Sequence, residues 1–182
     1  MDATVVSVNV GVPRTTEWHG RQVTSGIWKS PVAGRVAVRG VNLEGDDQAD
    51  RRVHGGDGKA VYAYAVEDYA WWTDQLALDA PMAPATFGEN LTTSGLALAA
   101  CRVGDQWQIA DTVLEVVQPR FPCFKLGMRM GDAAFKDRFA AAGRPGTYLR
   151  IVAPGTVGAG DAITVAPTPY PDAPTIAALF AG

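Results

Sequence analysis

The segment "PRFPC", residues 119–123, places a cysteine close to an arginine and two prolines, and these residue types could do thiol or metal chemistry. Each proline fixes its own φ and restrains the residue before it, so the backbone around Cys123 has few accessible conformations. A guanidinium near the thiol, such as that of Arg120, favours the thiolate, which attacks electrophiles and binds metals. The competing interpretation is simple burial, because cysteine is among the residue types most often found in cores.

A second candidate for chemistry is the charged run "GDDQADRRVHGGDGK", residues 45–59, in which aspartates, basic residues and one histidine are interspersed with glycines. Glycines allow positive φ and bring backbone N–H groups close to an anion. The ending "GK" is similar to a phosphate-binding loop, but Val53 and Ala60 stand where that motif has Gly and Ser or Thr. Nucleotide binding of that type is therefore not predicted, and a solvated charged loop is the alternative.

A third short motif is "FGEN", residues 87–90, which precedes an apolar leucine. Asn90 is typical of a turn or a helix cap. Glu89 is equally compatible with a surface charge. Taken alone, this motif indicates no particular chemistry.

The composition is that of an ordinary globular chain. It has 182 residues, of which 47% are hydrophobic and 19% are charged, and this length suits one domain with its own core. The formal net charge of −3 argues against non-specific nucleic-acid binding, which needs a positive field. No apolar run approaches the roughly 18 residues of a membrane span, and the amino terminus has no secretion signal. We therefore expect neither a nucleic-acid nor a membrane partner.

Two cysteines, Cys101 and Cys123, form neither a CxxC pair nor a zinc-finger spacing. A disulfide between them is an open alternative but is unnecessary at this size, and a reducing cytoplasm is the expected compartment. The chain carries no flavin or nicotinamide fingerprint and has too few cysteines for an iron–sulfur cluster. Electrons for a redox reaction would therefore come from a separate protein.

Short elements have to position these residues. Alternating and β-branched patterns predict strands, and apolar residues at offsets of three and four predict two helices. The predicted helices are 67–76 and 132–142, the second with Asp132 as its N-cap. The predicted strands are 4–10, 34–41, 59–66, 106–109, 113–118, 147–152 and 162–165, with "APGTVGAGD" as a turn-rich connector. The pattern predicts a β-rich α+β fold, of barrel or sandwich type.

Three segments, in this order, closely resemble the MOSC domain, in particular its YiiM-like branch. They are "GDDQADRRVHGGDGKAVYAY" (45–64), "FGENLTTSGL" (87–96) and "VGDQWQIADTVLEVVQPRFPCFKL" (103–126). The resemblance extends to "TSGIWKSPV" upstream and to "GRPGTYLRIVAPGTVGAGDAITV" downstream, and it covers roughly residues 4–166. Each motif alone is weak, but the combination is specific.

The resemblance implies a MOSC-type, β-barrel-like domain with a few short helices over residues 1–166. Residues 167–182 are then a proline-rich linker and a short apolar segment. YiiM-like proteins commonly continue into a small helical domain, which we expect to be largely absent here.

The resemblance also implies a function. The family is associated with the molybdenum cofactor, and YiiM-like members resemble stand-alone reductases of N-hydroxylated compounds such as hydroxylaminopurines. The cysteine of the PRxPC motif, here Cys123, is the expected molybdenum ligand, and thiolate is a soft donor suited to such a centre. The partners expected are a small N-hydroxylated substrate and a separate flavin or iron–sulfur electron donor, with a homodimer left open.

Site residues follow from the same resemblance and from side-chain chemistry. Besides Cys123, we expect His54, and after it Glu89, to act in catalysis as the proton donor, since the ordinary pKa of histidine lies near neutral pH. Residues with cationic side chains or amide groups, and glycines whose backbone N–H groups can approach an anion, are expected to hold the anionic cofactor. These are Lys29, Gly55, Gly56, Lys59, Gly88, Asn90, Arg120 and Lys125.

Two other functions remain open at this stage. The domain could carry the molybdenum cofactor or persulfide sulfur without turnover, in which case His54 would be dispensable. It could also be a cysteine hydrolase with Cys123 as nucleophile and His54 as base.

Overall fold

Strands dominate residues 2–49 and 56–182, the part of the chain that the computed structural model describes. The strands are β1 (Thr4–Val10), β2 (Arg14–Trp18), β3 (Arg21–Ser25), β4 (Ser30–Pro31), β5 (Arg35–Arg39), β6 (Asn42–Leu43), β7 (Val61–Ala65), β8 (Leu91–Ser94), β9 (Gln106–Ile109), β10 (Thr112–Pro119), β11 (Thr147–Ala153), β12 (Gly155–Gly158) and β13 (Ile163–Ala166). The helices are α1 (Val66–Gln75), α2 (Phe124–Met130), α3 (Phe135–Ala141) and α4 (Ile176–Ala181). The fold is α+β and β-rich, as the sequence predicts.

The main sheet has eight strands in the order β13-β9-β10-β11-β7-β8-β1-β4. Only the β7–β8 pair among its described neighbours is parallel. The strands of this described sheet do not close into a barrel, although a single bridge joins Thr4 of β1 to Ala162, next to β13. A second sheet, β12-β5-β6, and the β2–β3 hairpin complete the layers.

Two apolar clusters hold these layers together. The larger contains Trp107, Leu114 and Leu149, all fully buried on the sheet. The smaller is aromatic and joins α1 to α3, where the rings of Trp72 and Phe139 stack with centroids 6.0 Å apart. Each such side chain stabilises the fold by about 1.5–3 kcal/mol through burial. The aromatic cluster fixes the helices beside β7 and thereby the floor on which Arg120 packs.

Helix α2 begins directly after Cys123 and is absent from the sequence prediction. Gly131 ends it with φ +68°, a left-handed conformation that glycine adopts without strain. At Gly127 the backbone of residues 132–133 approaches so closely that a Cβ would lie 2.8 Å from the Asp132 carbonyl oxygen. The helix therefore depends on two glycines that read, in the sequence alone, as helix breakers.

Several predicted bounds differ from the structure by one or two residues, and two predictions differ by more. Helix α3 begins at Phe135, because Asp132 accepts a hydrogen bond from the Ala134 N–H in the preceding turn and does not cap the helix. The segment "APGTVGAGD" is not only a connector, since it contains β12, which pairs with β5.

The C-terminal helix α4 packs on the rest of the domain. The Thr175 hydroxyl accepts a hydrogen bond from the Ala178 N–H, and the Ile176 side chain is completely buried. The Ile176 N–H donates to the Cys101 carbonyl, 2.8 Å away. None of the helices in the described ranges is long and apolar enough to cross a membrane.

Candidate functional site

One cleft gathers residues from six separate segments of the chain. The space between its walls, including the part open to solvent, is about 710 Å³. The loop after β3, the loop before the 3-10 turn at 57–59, the start of β7, the loop before β8, the β10–α2 junction and β11 all contribute to it. Seven of the predicted site residues line this cleft: Lys29, Lys59, Gly88, Asn90, Arg120, Cys123 and Lys125.

Cys123 lies at the junction of β10 and α2. Its backbone is extended (φ −124°, ψ 175°), and its carbonyl accepts a hydrogen bond from the Leu126 N–H at 2.9 Å. The thiol is free and the residue is half-buried, so the sulfur borders the cleft without being sealed in the core. Cys101, in contrast, is buried away from the cleft, and burial raises the pKa of its thiol to about 11.

Arg120 is the buried cation of this wall, with only 7% of its surface exposed. Its guanidinium carbon lies 5.1 Å from the centroid of the Tyr62 ring and 5.5 Å from that of Phe139. Cys123 and Tyr148 are among its electrostatic neighbours. Among the described residues no group pairs with its Nη1 atom, although that atom is fully buried. A buried donor without a partner is costly, so this nitrogen indicates a place for an acceptor.

Two tyrosines form part of the same wall, and the β7–β11 register brings them together. Tyr62 and Tyr148 are cross-strand partners, with ring centroids 5.2 Å apart. Tyr62 donates its hydroxyl hydrogen to the Pro145 carbonyl at 2.8 Å. Burial raises the pKa of Tyr148, while the charge of Arg120 opposes this shift. The Tyr148 phenol therefore stays protonated at neutral pH and lies beside a cation that would stabilise its phenolate.

A buried polar network supports the opposite part of the lining. Lys29 forms an ion pair with Asp46, whose side chain is 1% exposed. Asp46 also accepts hydrogen bonds from the Gly11 N–H at 2.9 Å and from the Asn90 side-chain amide at 2.9 Å. Burial lowers the pKa of Lys29, and the carboxylate of Asp46 opposes that shift. The network ties four loops to one position.

Asn90 is thus held mainly by the protein. Its side-chain oxygen accepts from the Tyr62 N–H at 3.1 Å, and its backbone N–H donates to the Tyr62 carbonyl at 2.7 Å. Because its side-chain amide also donates to Asp46, little of its hydrogen-bonding capacity is left for a cofactor or substrate. Its role in the cleft is to hold the wall in place.

Glu89, the second candidate for the proton donor, does not line the described cleft. It is completely buried, and its carboxylate accepts hydrogen bonds from Tyr69, Thr92 and the Ala85 N–H at 2.7–2.8 Å. Burial raises its pKa, while these donors oppose the shift. Its contacts make it a structural group.

Gly88, next to Glu89, allows two loops to approach each other. A Cβ at this position would lie 2.7 Å from the Ile27 side chain, and its φ of +80° is accessible to glycine without strain. Gly56 is exposed, outside the lining of the cleft. His54 and Gly55 lie outside the described residues.

Several cleft residues were not predicted from the sequence. Gln48 lines the cleft and donates its side-chain amide to the Lys59 carbonyl at 3.1 Å, which links two of the loops. Asp46, which does not line the cleft but holds Lys29 and Asn90, was hidden in a run of like residues. The two tyrosines were indistinguishable from core strand residues. Only the strand register, which is a tertiary property, could have identified the tyrosines.

The donor set of the cleft fits a metal that brings its own ligands. No group of three or more His, Cys, Asp or Glu side chains within residues 2–49 and 56–182 converges as a metal site. The Cys123 thiol can supply one soft ligand, and the unpaired nitrogen of Arg120 can receive an anionic oxygen of a cofactor. The molybdenum cofactor would suit both groups. Its dithiolene-bound metal would take the thiol as a ligand, and its anionic pterin phosphate would supply the oxygen.

Comparison with known proteins identifies the class. The MOSC domain family matches residues 50–164, which include the PRFPC segment and most of the strands that surround it. The chain therefore belongs to the MOSC domain family.

Its relatives place it more narrowly as a YiiM-like MOSC protein. It is 36% identical to protein YiiM of Escherichia coli over 137 residues, covering 74% of this chain and 61% of YiiM. It is 38% identical to the Bacillus subtilis protein YflK over 156 residues, covering 86% and 70% of the two chains. A protein named "Reductase" from Gibberella moniliformis is 32% identical over 84% of this chain but only 27% of its own length.

A solved structure has the same fold. The crystal structure of YiiM from Geobacillus stearothermophilus superimposes with a TM-score of 0.75 at 28% identity, covering 98% of this chain and 82% of that one.

Proposed function

We propose that this protein reduces N-hydroxylated compounds, such as hydroxylaminopurines, with a molybdenum cofactor held in the cleft. One observation carries the proposal: a half-buried free thiol and a buried guanidinium with an unpaired nitrogen line the same cleft. Membership in the MOSC family and similarity to a protein named "Reductase" support it.

The chain's own residues would bind the cofactor as follows. Cys123 would be the protein ligand of the metal, on a backbone stiffened by Pro122. Arg120 would hold an anionic oxygen of the cofactor, for which its planar guanidinium is well shaped. Lys59 and Lys125 add positive charge at the same cleft. The Arg120 side chain is already ordered by its ring contacts, which lowers the entropic cost of binding.

When bound, the cofactor would supply the two electrons that cleave the N–O bond. The reaction is R–NHOH with two electrons and two protons giving R–NH2 and water. Electrons would reach the cofactor from a separate flavin or iron–sulfur protein.

A proton has to reach the departing oxygen. Among the described residues, Tyr148 is our choice for this donor, since its phenol borders the cleft and Arg120 would stabilise the phenolate that remains. His54 stays a candidate from the sequence.

Replacing Tyr148 by phenylalanine tests this assignment. The Tyr148→Phe variant should keep its molybdenum and its fold, and kcat should fall about 100-fold, because a positioned acid contributes on that order. Unchanged kcat would transfer the role to another group, and a matched His54→Ala variant then measures the contribution of His54.

The reductase assay is the direct test of function. The protein would be purified from a host that makes the cofactor, and 6-hydroxylaminopurine would be supplied with a reduced viologen dye as artificial donor. We expect adenine to form in wild type and not in Cys123→Ser. A protein that retains molybdenum but forms no adenine would instead be a carrier, the alternative that a half-exposed thiol at Cys123 also permits.

A further inference from the structure

Phe121 is an unusually exposed aromatic side chain at the mouth of the cleft. It lies two residues before Cys123, lines the cleft, and is 60% exposed. Its two neighbours restrict the backbone at this position. The Arg120 side chain is buried, and Pro122 has a fixed φ. The position is therefore held by the backbone while the ring stays accessible.

Helix α4 supports this ring from behind. The Phe180 ring stacks on Phe121 with centroids 5.4 Å apart and an interplanar angle of 28°. The helix that carries Phe180 is anchored by the buried Ile176 and by the bridge between Thr175 and Arg102. The Phe121 ring, stacked on Phe180, presents a flat apolar surface to the cleft, on which planar π-systems bind well.

We propose that Phe121, supported by Phe180, is a stacking subsite for the planar heteroaromatic ring of the substrate. The cleft then selects aromatic N-hydroxylated compounds over aliphatic ones. The identity of the reactive group rests on the proposed function, whereas the ring subsite rests on the two phenylalanines. One of them, Phe180, lies outside residues 50–164, the part that the family matches.

Phe124 provides a matched control on the same stretch of chain. It is 51% exposed, close to the value for Phe121, but it does not line the cleft. If this surface bound another protein segment, both phenylalanines would contribute to it. If it binds a planar ring in the cleft, only Phe121 should matter.

The test is calorimetric titration of the full chain, purified from a cofactor-making host, with 6-hydroxylaminopurine and with N-cyclohexylhydroxylamine. Phe121→Ala should weaken purine binding roughly 5- to 20-fold, as expected for the loss of one base–aromatic stack. Phe121→Trp should retain the affinity for the purine, and Phe180→Ala should lose less affinity than Phe121→Ala. Phe124→Ala should bind the purine as tightly as wild type. The cyclohexyl probe should bind all variants equally.

Three results would overturn the subsite: no purine binding in wild type, equal binding in Phe121→Ala, or equal losses for the two probes. Turnover separates this inference from the proposed function. A loaded wild type that binds purine through Phe121 but forms no adenine contradicts the function alone. Adenine formation with an unchanged KM in Phe121→Ala contradicts the subsite alone.

Discussion

Glu89 and Arg120 are both buried ionisable residues, Glu89 beside the cleft and Arg120 in its wall, and they differ in how their polar atoms are satisfied. Glu89, whose chain neighbours Gly88 and Asn90 line the cleft, has three donors on its carboxylate. Arg120 lines the cleft itself and packs on aromatic rings, and one of its buried nitrogens has no partner within the described residues.

The difference separates structural charge from functional charge. A buried charge that the protein pairs completely stabilises one arrangement of loops, and its removal leaves several groups unsatisfied. A buried charge that keeps one donor unpaired has a desolvation cost that a bound anion can offset in part. Burial or residue type alone does not distinguish the two cases, and the hydrogen-bond partners do.

The largest effect should come from the paired residue. Glu89→Ala leaves the hydroxyls of Tyr69 and Thr92 and the Ala85 N–H without their acceptor. We expect the free energy of unfolding to fall by about 4–6 kcal/mol, since each buried unsatisfied group costs about 1–3 kcal/mol. Urea denaturation of wild type and Glu89→Ala measures this loss of unfolding free energy.

Glu44→Ala is the matched control for that substitution. The Glu44 side chain is 62% exposed and contacts Arg39 at 3.4 Å, so its loss should change the unfolding free energy by less than about 0.5 kcal/mol. Similar losses in both variants would remove the contrast between Glu89 and a surface carboxylate.

Arg120→Met should have a smaller effect, and of a different kind. The unfolding free energy without cofactor should stay within about 1 kcal/mol of wild type, because the variant also removes a desolvation cost that the ring contacts offset only in part. Cofactor affinity should fall about 10- to 100-fold, from the loss of a charge-assisted hydrogen bond. Dialysis followed by metal analysis measures the affinity, with Arg120→Lys as the charge-conserving control. A large loss of unfolding free energy with unchanged retention of molybdenum would mean that Arg120 has a structural role.

The smallest effect concerns pH. Burial raises the pKa of Glu89 above its ordinary value of 4.5, so between 4.5 and the raised value the folded state holds more protons than the unfolded state. The contribution of Glu89 to stability is therefore fully present below pH 4.5 and is lost as pH rises through the folded pKa. The slope is at most about 1.4 kcal/mol per pH unit.

Urea titrations of wild type and Glu89→Gln at several pH values measure this slope. Wild type should lose unfolding free energy relative to the variant as the pH rises above 4.5. An opposite slope would mean that the three donors outweigh burial.

The sequence predicts the regular strands well because burial of one face imposes a period of two. Residues 4–10 and 106–109 form strands with the predicted bounds. The β2–β3 hairpin, "RTTEW" and "RQVTS", has mostly exposed polar residues and therefore carries no such period. Helix α2 is too short to show a helical period and contains a glycine.

The site is less predictable than the strands. The resemblance and the residue types select Cys123, Arg120 and Lys125, which line the cleft. Side-chain chemistry selects Glu89 as well, but burial and its three donors are tertiary properties that no local pattern carries. Tyr148 reaches the cleft only because its strand pairs with β7 in one register.

We propose that Cys123 binds the metal of a molybdenum cofactor. The most direct measurement is the molybdenum content of wild type, Cys123→Ser and Cys101→Ser, all purified from a host that makes the cofactor. We expect nearly one molybdenum per chain in wild type and in Cys101→Ser, whose buried thiol lies away from the cleft, and almost none in Cys123→Ser. Molybdenum absent from wild type, or retained equally in Cys123→Ser, would contradict it.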